Sequence, residues 1–306
     1  MKTVDCSAFL QEVLPRLGLR WAGFRNVRRL VCKRIAKRLR ELGLADLTAY
    51  RTCLDHDDAE WHKLDEMCRI PISRFYRDRE VFASLERDVL PVLAAQVVAE
   101  RRRELRCWSA CCASGEEPYT VAVLWHLRIA PSFPSLALRI LATDVDPKAL
   151  HRGRLGWYSA SSMKEVPEGL LCAGFERSGD EYCVRTAFRT VEFLQQDIRR
   201  SDPDGLFDLI LCRNAVLTYF VPDEQEQVMK RVIARLRPGG ALVIGLHESV
   251  PASCTGLALW NGTRAIYRAV SAAELTPPVR CIAPHPDRTV AHGEAPAIAL
   301  PPVTVA

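Results

Sequence analysis

Several common signatures are missing from this 306-residue sequence. Its 12 cysteines form no CxxC pattern, which argues against a structural zinc site and gives no reason to expect any metal. No apolar run reaches the roughly 18 residues that cross a bilayer, and the first residues lack the long apolar core and small-residue cleavage site of a signal peptide. We therefore expect a cytoplasmic protein without direct membrane insertion, whose cysteines are reduced and mostly buried.

Three familiar functional motifs are also missing. The sequence has no GxGxxG of dinucleotide enzymes, no phosphate-binding loop with its lysine, and no GxSxG nucleophile turn. The net charge of +5 is too small for a dedicated nucleic-acid binder, so no nucleic-acid partner is expected. The composition, 48% hydrophobic and 26% charged, is that of an ordinary globular protein, and the length suits two domains.

The first part of the chain has helical periodicity. From Ser7 to about Cys68 apolar residues recur at spacings of three and four, and no alternating strand pattern is found. We predict a small all-α domain over residues 1–68. A further helix is expected from Asp78, as its N-cap, toward Arg103, with a disturbance at Pro91.

After Arg103 the pattern changes to alternating strands and helices. Short apolar runs begin at Leu105, Leu138, Phe207 and Ala241 and are separated by helical segments. Runs that are apolar on both faces predict a parallel sheet covered on both sides. The stretch from Tyr182, after a turn at residues 178–180, predicts a hairpin that leads into another strand.

Four loops that follow these strands carry groups suited to a ligand, because ligands of open α/β sheets lie at the carboxyl ends of the strands. Residues 110–118 combine small residues with two glutamates and a proline, which suits either a ligand-binding loop or a capped strand-to-helix turn. Asp144 suits either the two hydroxyls of a ribose or a helix cap. Asp197 and Ile198 suit an adenine amino group and ring, and Asn214 follows the fourth strand.

Together these segments resemble the motif series of the chemotaxis receptor methyltransferases, the CheR type. The resemblance is carried by ISRFYRD from Ile72, WSA from Trp108, SGEEPY from Ser114, ATDVD from Ala142, FD and CRN between Phe207 and Asn214, and LRPGG from Leu236. It runs from about Phe9 to about Val270. It implies a Rossmann-like class I S-adenosylmethionine methyltransferase domain with a small β subdomain, preceded by the small all-α domain. It also implies methylation of glutamate side chains on receptor helices, with S-adenosylhomocysteine as the product.

The resemblance implies roles for eight cofactor-site residues. Ser73 and Arg77 would lie over the methionine end, Glu117 would bind the amino group, and Asp144 would hold the ribose. The other four would flank the adenine and the methionine portion: Asp197, Ile198, Asn214 and Ala215. Ser73 stands where the family usually has Thr, and Asp197 where Asn is frequent. One additional residue separates Asn214 from Tyr219, which leaves the role of Tyr219 open.

The chemistry implied here needs no general base. The side chain of a free glutamate has a pKa of about 4.3, so a glutamate acceptor is already ionised at neutral pH. Arg77 is the natural group to align it, because a guanidinium can hold a carboxylate through two hydrogen bonds. Tyr219 could donate one more. The alternative is that Arg77 forms a structural ion pair with Glu117 or Asp78.

Positive charge is concentrated between Arg20 and Arg40, where nine Lys and Arg residues occur without an acidic residue. On a helix, four of them follow one stripe, opposite Val27, Val31, Ile35 and Leu39. The four are Arg29, Lys33, Lys37 and Arg40. Such a run is usually a solvated face, but it also suits docking of an acidic partner, either receptor helices or a nucleic-acid backbone. In the resembling family a basic helix faces the substrate, which favours the receptor helices.

The predicted organisation has three parts: residues 1–68, a methyltransferase domain at 69–270 with a β-hairpin insertion at about 175–192, and a Pro/Ala-rich disordered tail at 271–306. We expect a monomeric protein-glutamate O-methyltransferase of a chemotaxis-type receptor. One alternative is an O-methyltransferase of a small molecule or of a non-chemotaxis protein. Another is a non-catalytic adaptor that binds the cofactor.

Overall fold

A helical region opens the structure, a computed structural model that describes residues 3–260 and 262–270. Its helices are α1 (Thr3–Val13), α2 (Trp21–Phe24), α3 (Arg28–Glu41), α4 (Leu47–His56) and α5 (Asp58–Cys68). They enclose a hydrophobic core of their own, with Phe9, Ile35, Tyr50 and Leu64 fully buried. The helical N-terminal region is therefore confirmed, whereas the exact domain boundaries stay a prediction. The predicted disordered tail at 271–306 lies outside the described residues.

Helix α3 carries the basic stripe. Val31, Ile35 and Leu39 are buried at intervals of four residues, as the periodicity requires. The predicted docking residues are exposed on the other side: Arg29, Lys33, Lys37 and Arg40. Two of the nine basic residues between Arg20 and Arg40 have acidic partners elsewhere in the helical region. Arg38 pairs with Glu60 at 2.6 Å, and Lys37 approaches Glu41 at 3.7 Å.

The expectation that every cysteine is reduced is wrong for one pair. Cys6 on α1 and Cys32 on α3 form a disulfide, with Cα atoms 6.0 Å apart. The two residues are separated by 26 positions, and only the packing of α1 against α3 brings them together. Nine other cysteines of the described residues are free, and five of those nine are buried.

A helical segment interrupted by a π-helical turn leads into the sheet. Helices α6 (Arg79–Ser84) and α7 (Leu90–Ala99) are joined by a π-helical turn at Leu85–Val89. The predicted disturbance thus lies just before Pro91, whose ring nitrogen cannot donate to the preceding turn. Asp78 precedes α6 in a left-handed conformation with φ 63°, but its side chain does not cap the helix. Asp78 is therefore the N-cap residue by position, as predicted, but its carboxylate makes no capping hydrogen bond because it binds Arg213.

Strands and helices alternate in the rest of the described chain. The strands are β1 (Glu104–Ala110), β2 (Ala137–Asp144), β3 (Trp157–Ser159), β4 (Phe175–Ser178), β5 (Glu181–Val184), β6 (Val191–Gln195), β7 (Phe207–Cys212), β8 (Leu236–Val243), β9 (Leu257–Leu259) and β10 (Ile266–Ala269). The helices are α8 (Glu116–Leu124), α9 (Pro147–Leu155), α10 (Glu168–Gly174), α11 (Val216–Tyr219) and α12 (Pro222–Ala234).

Seven strands form the central sheet, in the order β6-β2-β1-β7-β8-β10-β9. The first five in this order are parallel, and β10 is antiparallel to both β8 and β9. Strand order reverses between β1 and β7, which is where open α/β sheets hold their ligands. The predicted Rossmann-like α/β fold is confirmed.

A smaller antiparallel sheet, in the order β3-β5-β4, is inserted between β2 and β6. It contains the predicted hairpin, in which Ser178 pairs with Glu181 across the turn. Strand β3 was not predicted, because three residues carry too little periodicity. None of the described helices combines the length and the apolar character that spanning a membrane requires.

Candidate functional site

A deep cleft lies at the carboxyl ends of β1, β2, β6 and β7. Its volume is about 1170 Å³, including its opening to solvent. It brings together every predicted cofactor and catalytic residue: Ser73, Arg77, Glu117, Asp144, Asp197, Ile198, Asn214, Ala215 and Tyr219. Leu19, Phe24 and Asp65 of the helical region line its other wall. The four predicted docking residues on α3 lie outside the cleft.

The loop after β1 brings backbone close to the cleft. Cys111 and Ala113 have positive φ angles of 57° and 50°, and Gly115 has a φ of 89°. A Cβ atom at Gly115 would lie 2.8 Å from the ring of Phe193, so close packing also requires glycine there. Helix α8 begins at the next residue, which places Glu117 in its first turn.

Glu117 is a carboxylate held in one orientation. The Ser109 hydroxyl donates to Oε1 at 2.7 Å, and Arg213 Nη1 donates to Oε2 at 3.1 Å. Burial raises the pKa of Glu117, while the Arg213 charge acts in the opposite direction. A fixed, buried carboxylate of this kind suits an ammonium group.

Arg213 is a site residue to which sequence reasoning assigned no role, although it lies within the CRN motif. Its side chain is 2% exposed and donates to Glu117, to Asp78 Oδ2 at 2.8 Å and to the carbonyl of Arg77 at 2.8 Å. It also lies over the ring of Phe82. The sequence signal that could have identified Arg213 is its position directly after a run of residues that form a fully buried strand.

The contacts of Arg213 bear on the alternative in which Arg77 forms a structural ion pair. Glu117 and Asp78, the two expected ion-pair partners of Arg77, are bound by Arg213 instead. Arg77 Nη1 makes a long hydrogen bond of 3.4 Å to the carbonyl of Ile72. Within residues 3–260 and 262–270, Arg77 has no ion pair, and its side chain lines the cleft, where its role stays a prediction.

The alternative role of Asp144 as a helix cap is also decided by geometry. Asp146 caps α9 by accepting from the N–H of Lys148 at 2.9 Å. Asp144 accepts from the N–H groups of Ala113 and Asp146, both at 2.8 Å and one at each oxygen. Burial raises the pKa of Asp144, and the two N–H groups oppose that shift. Each oxygen keeps a lone pair for a hydroxyl of a ligand.

Asp197 has a strong partner that the sequence did not indicate. Arg199 donates to both of its oxygens and also bridges to Asp65 of α5 at 2.8 Å. Burial disfavours the charged carboxylate, but Arg199 outweighs this and lowers the pKa of Asp197. The same end of the cleft contains Gln196, whose Oε1 is buried without a hydrogen-bond partner among the described residues.

Glu248 fixes the loop that carries Asn214. Its Oε2 accepts from the N–H groups of Asn214 at 2.9 Å and Gly245 at 2.7 Å, and Oε1 accepts from the Thr218 hydroxyl at 2.5 Å. The sequence analysis did not single out Glu248. Burial raises the pKa of the neighbouring Tyr219, which keeps its phenol protonated at neutral pH.

The groups that line the cleft match the parts of S-adenosylmethionine. The Glu117 carboxylate would suit the ammonium group, and the two oxygens of Asp144 would suit the ribose hydroxyls, as the sequence predicts. Ile198, which is 5% exposed, presents an apolar surface to the adenine ring. Gln196 Oε1 is the unpaired acceptor that an exocyclic amino group requires.

Comparisons with known proteins agree with this match. The family model described as "CheR methyltransferase, SAM binding domain" matches residues 72–266. The chain is 36% identical over 191 residues to a chemotaxis protein methyltransferase of Listeria monocytogenes, covering 61% of this chain and 70% of that protein. It is 30% identical over 273 residues to a chemotaxis protein methyltransferase of Salmonella typhimurium, covering 79% and 89%.

A third relative is much longer. An uncharacterised 104.1 kDa protein of Rhodobacter capsulatus is 32% identical over 249 residues, which are 80% of this chain and 26% of that protein. This chain thus spans about a quarter of that relative. The family match covers more than half of the chain and contains all eight residues predicted for the cofactor site. The chain therefore belongs to the CheR methyltransferase family, and S-adenosylmethionine is its cofactor.

Proposed function

We propose that the protein forms methyl esters on glutamate side chains of a chemotaxis-type receptor in the cytoplasm, with S-adenosylhomocysteine as the second product. Its relatives from Listeria and Salmonella are named chemotaxis protein methyltransferases. The choice of a carboxylate as acceptor is supported by the groups in the cleft.

The observation that supports this choice is that the described groups lining the cleft include no histidine, no ionised thiol and no carboxylate without a hydrogen-bond donor already bound to it. Each carboxylate of the cleft already accepts a hydrogen bond from an arginine or from a backbone N–H: Asp65, Glu117, Asp144, Asp146 and Asp197. Burial raises the pKa of the Cys111 and Cys112 thiols, which are therefore protonated at neutral pH. No histidine is among the described residues that line the cleft.

An acceptor in such a site must arrive without a proton to lose. Alcohols and ammonium groups do not meet this condition at neutral pH, whereas a glutamate carboxylate does. The bound cofactor supplies an electrophilic methyl group on a sulfonium sulfur. What remains for the protein is to align a carboxylate oxygen with that methyl group and to remove part of its hydration.

Arg77 and Tyr219 are suited to that task. The Arg77 guanidinium has no ion pair among the described residues and lines the same cleft as the Tyr219 phenol. A guanidinium can hold a carboxylate with two parallel hydrogen bonds and keeps its proton. Tyr219, whose pKa is raised by burial, can donate a further hydrogen bond.

The exposed basic stripe of α3 supports an acidic protein as the partner. Arg29, Lys33, Lys37 and Arg40 are solvent-facing, and charges of one sign attract a surface of the opposite sign. Glutamate-rich receptor helices would match this stripe and bring the acceptor to the neighbouring cleft.

The test is methyl transfer from tritiated S-adenosylmethionine to a purified receptor cytoplasmic fragment. We expect label that is released as methanol by mild base, since carboxyl methyl esters hydrolyse and methyl ethers or amines do not. A receptor fragment whose methylation-site glutamates are replaced by alanine is the matched control and should remain unlabelled. Base-stable label, or equal labelling of the control fragment, would contradict the proposal, and binding of S-adenosylhomocysteine without any transfer would favour an adaptor.

A further inference from the structure

Residues 18–24 of the helical region clasp the segment that carries Tyr219. Leu19 and Phe220 form an isolated antiparallel bridge, and the N–H of Val221 donates to the carbonyl of Gly18 at 2.9 Å. The N–H of Arg20 donates to the carbonyl of Tyr219 at 2.8 Å. We call residues 18–24 the clasp. It joins two parts of the chain that are about two hundred positions apart.

The side chain of Arg20 binds the end of α11. Its Nε donates to the carbonyl of Thr218 at 3.0 Å and its Nη2 to the carbonyl of Leu217 at 2.5 Å. Together with the Arg20 N–H, these bonds satisfy three consecutive carbonyls at the carboxyl end of a helix. Those carbonyls have no partner within the helix itself.

Gly23 lets the clasp come this close. A Cβ atom at Gly23 would lie 2.4 Å from the carbonyl oxygen of Thr218 and 2.9 Å from the Tyr219 ring. Any side chain larger than hydrogen would therefore push α11 away, because the nearest atom belongs to the backbone. The neighbouring Phe24 packs edge-on against Tyr219, with ring centroids 5.1 Å apart.

Helix α11 needs such support. It has four residues, and an isolated helix shorter than about 12 residues is marginal in water. Glu248 also holds this segment, through the N–H of Asn214 before the helix and the Thr218 hydroxyl near its carboxyl end. The orientation of the Tyr219 ring therefore depends on contacts from outside the α/β part.

We propose that Arg20 and Gly23 are positioning residues for Tyr219, so that the helical region completes the acceptor end of the cleft in addition to docking the substrate. The inference rests on the proposed role of Tyr219 in methyl transfer. It also accounts for the additional residue between Asn214 and Tyr219, since the clasp fixes the ring independently of the length of that loop.

The kinetic test uses Gly23→Ala, with Gly169→Ala as the matched control because no atom lies within 4 Å of a Cβ at Gly169. We expect kcat on the receptor fragment to fall about tenfold or more in Gly23→Ala, as misplacement of a reacting group does. The Kd for S-adenosylhomocysteine should change much less than kcat does, by no more than about threefold, since the groups proposed for its ammonium and ribose lie on other loops and Glu248 holds Asn214 independently of the clasp. Gly169→Ala should leave both values unchanged.

A double-mutant cycle distinguishes positioning from general destabilisation. If Gly23 acts through Tyr219, adding Gly23→Ala to Tyr219→Phe should lower kcat less than about twofold further. If the kcat of the double variant fell by the product of the two single reductions, the proposal would be overturned. Arg20→Lys, which keeps the charge but cannot bind two carbonyls in the same way, should retain more activity than Arg20→Ala.

A second measurement needs no acceptor and is independent of the proposed reaction. In protein labelled with 3-fluorotyrosine, the fluorine resonance missing from Tyr219→Phe identifies Tyr219. That resonance should shift in Gly23→Ala and Arg20→Ala and stay in place in Gly169→Ala. An unmoved resonance in folded Gly23→Ala would overturn the inference, whereas a shifted resonance in an enzyme that methylates no receptor would leave the clasp intact and refute the proposed substrate.

Discussion

Arg213 and Glu117 form a largely buried ion pair, with Arg213 Nη1 3.1 Å from Glu117 Oε2 and side chains that are 2% and 13% exposed. The same guanidinium binds Asp78 and the carbonyl of Arg77. One cation thus joins the segment before α6, the first turn of α8 and the end of β7. Because the Arg213 side chain is almost wholly buried, loss of the cation would leave two carboxylates without their partner, at a cost of about 3–5 kcal/mol.

Arg213→Lys is the informative substitution, because it keeps the charge while giving up the planar fork that reaches three acceptors. We expect the affinity for S-adenosylhomocysteine to fall by about 1–3 kcal/mol, or roughly five- to 150-fold in Kd, since Glu117 loses its fixed orientation. Isothermal calorimetry measures the change, with Arg128→Lys on the half-exposed Arg128–Glu86 pair as the control. Equal affinity of both variants would show that Arg213 has only a structural role.

The pH dependence of cofactor binding should follow Glu117. Burial raises its pKa, with Arg213 opposing, so on acidification this carboxylate takes up a proton at a higher pH than a free glutamate does. Because the ammonium group needs the ionised form, affinity for S-adenosylhomocysteine should decline as the pH falls through that raised value. Glu117→Gln should bind weakly at every pH and lack this decline, whereas Glu168→Gln on exposed α10 should titrate as the wild type does.

The contribution of Glu117 to folding stability should depend on pH in the opposite direction to its contribution to cofactor affinity. A carboxyl group whose pKa is raised by folding stabilises the folded protein below its ordinary pKa, and this contribution is lost as the pH rises through the raised value. Glu117→Gln should therefore make the free energy of unfolding less dependent on pH in that window, as measured by urea unfolding at a series of pH values. An unchanged pH dependence would mean that Glu117 titrates normally in the folded protein.

Loops after parallel strands were the part of the site that the sequence could predict. Carboxyl ends of parallel strands share one edge of a sheet, so Glu117, Asp144, Asp197 and Asn214 could be expected together before any coordinates. The partners of these residues could not be predicted. Arg213 lies 96 positions from Glu117, and Arg199 lies 134 positions from Asp65. Such pairs depend on tertiary packing, which leaves no local pattern in the sequence.

Very short strands and contacts between distant parts of the chain were also beyond prediction from the sequence. The strands β3 and β9 have three residues each, too few to show alternation. The contact between the clasp and α11 could not be predicted for a different reason. In the sequence, Arg20 is one of nine basic residues of the helical region and nothing distinguishes it from the others. Its charge is used locally, on the carbonyls of α11, and only the structure separates it from the solvent-facing charges of α3.

Charge reversal on α3 tests the docking stripe. Arg29 and Lys33 are the better pair to change to Glu, because Lys37 already approaches Glu41. We expect a higher KM for the receptor fragment, a weaker salt dependence of KM and a nearly unchanged kcat, since these charges act on encounter and docking. Reversal of the exposed Arg103 and Lys164, for which no ion pair is found among the described residues, is the control for net charge. Equal effects of the two double variants would show that the stripe is only a solvated face.

Arg77→Ala tests the alignment of the acceptor itself. The only hydrogen bond found for the guanidinium among the described residues is the 3.4 Å contact with Ile72, so its removal should shift the melting temperature by no more than a few degrees. The kcat should nevertheless fall by about 10²-fold, because a group that fixes the nucleophile at the reacting centre is lost. Arg77→Lys should recover only part of that loss, since a point charge cannot reproduce two parallel hydrogen bonds. Steady-state methyl transfer at saturating receptor fragment separates this effect on kcat from the effect of the α3 variants on KM. Full turnover in Arg77→Ala would assign the alignment to another residue, with Tyr219 the next to examine.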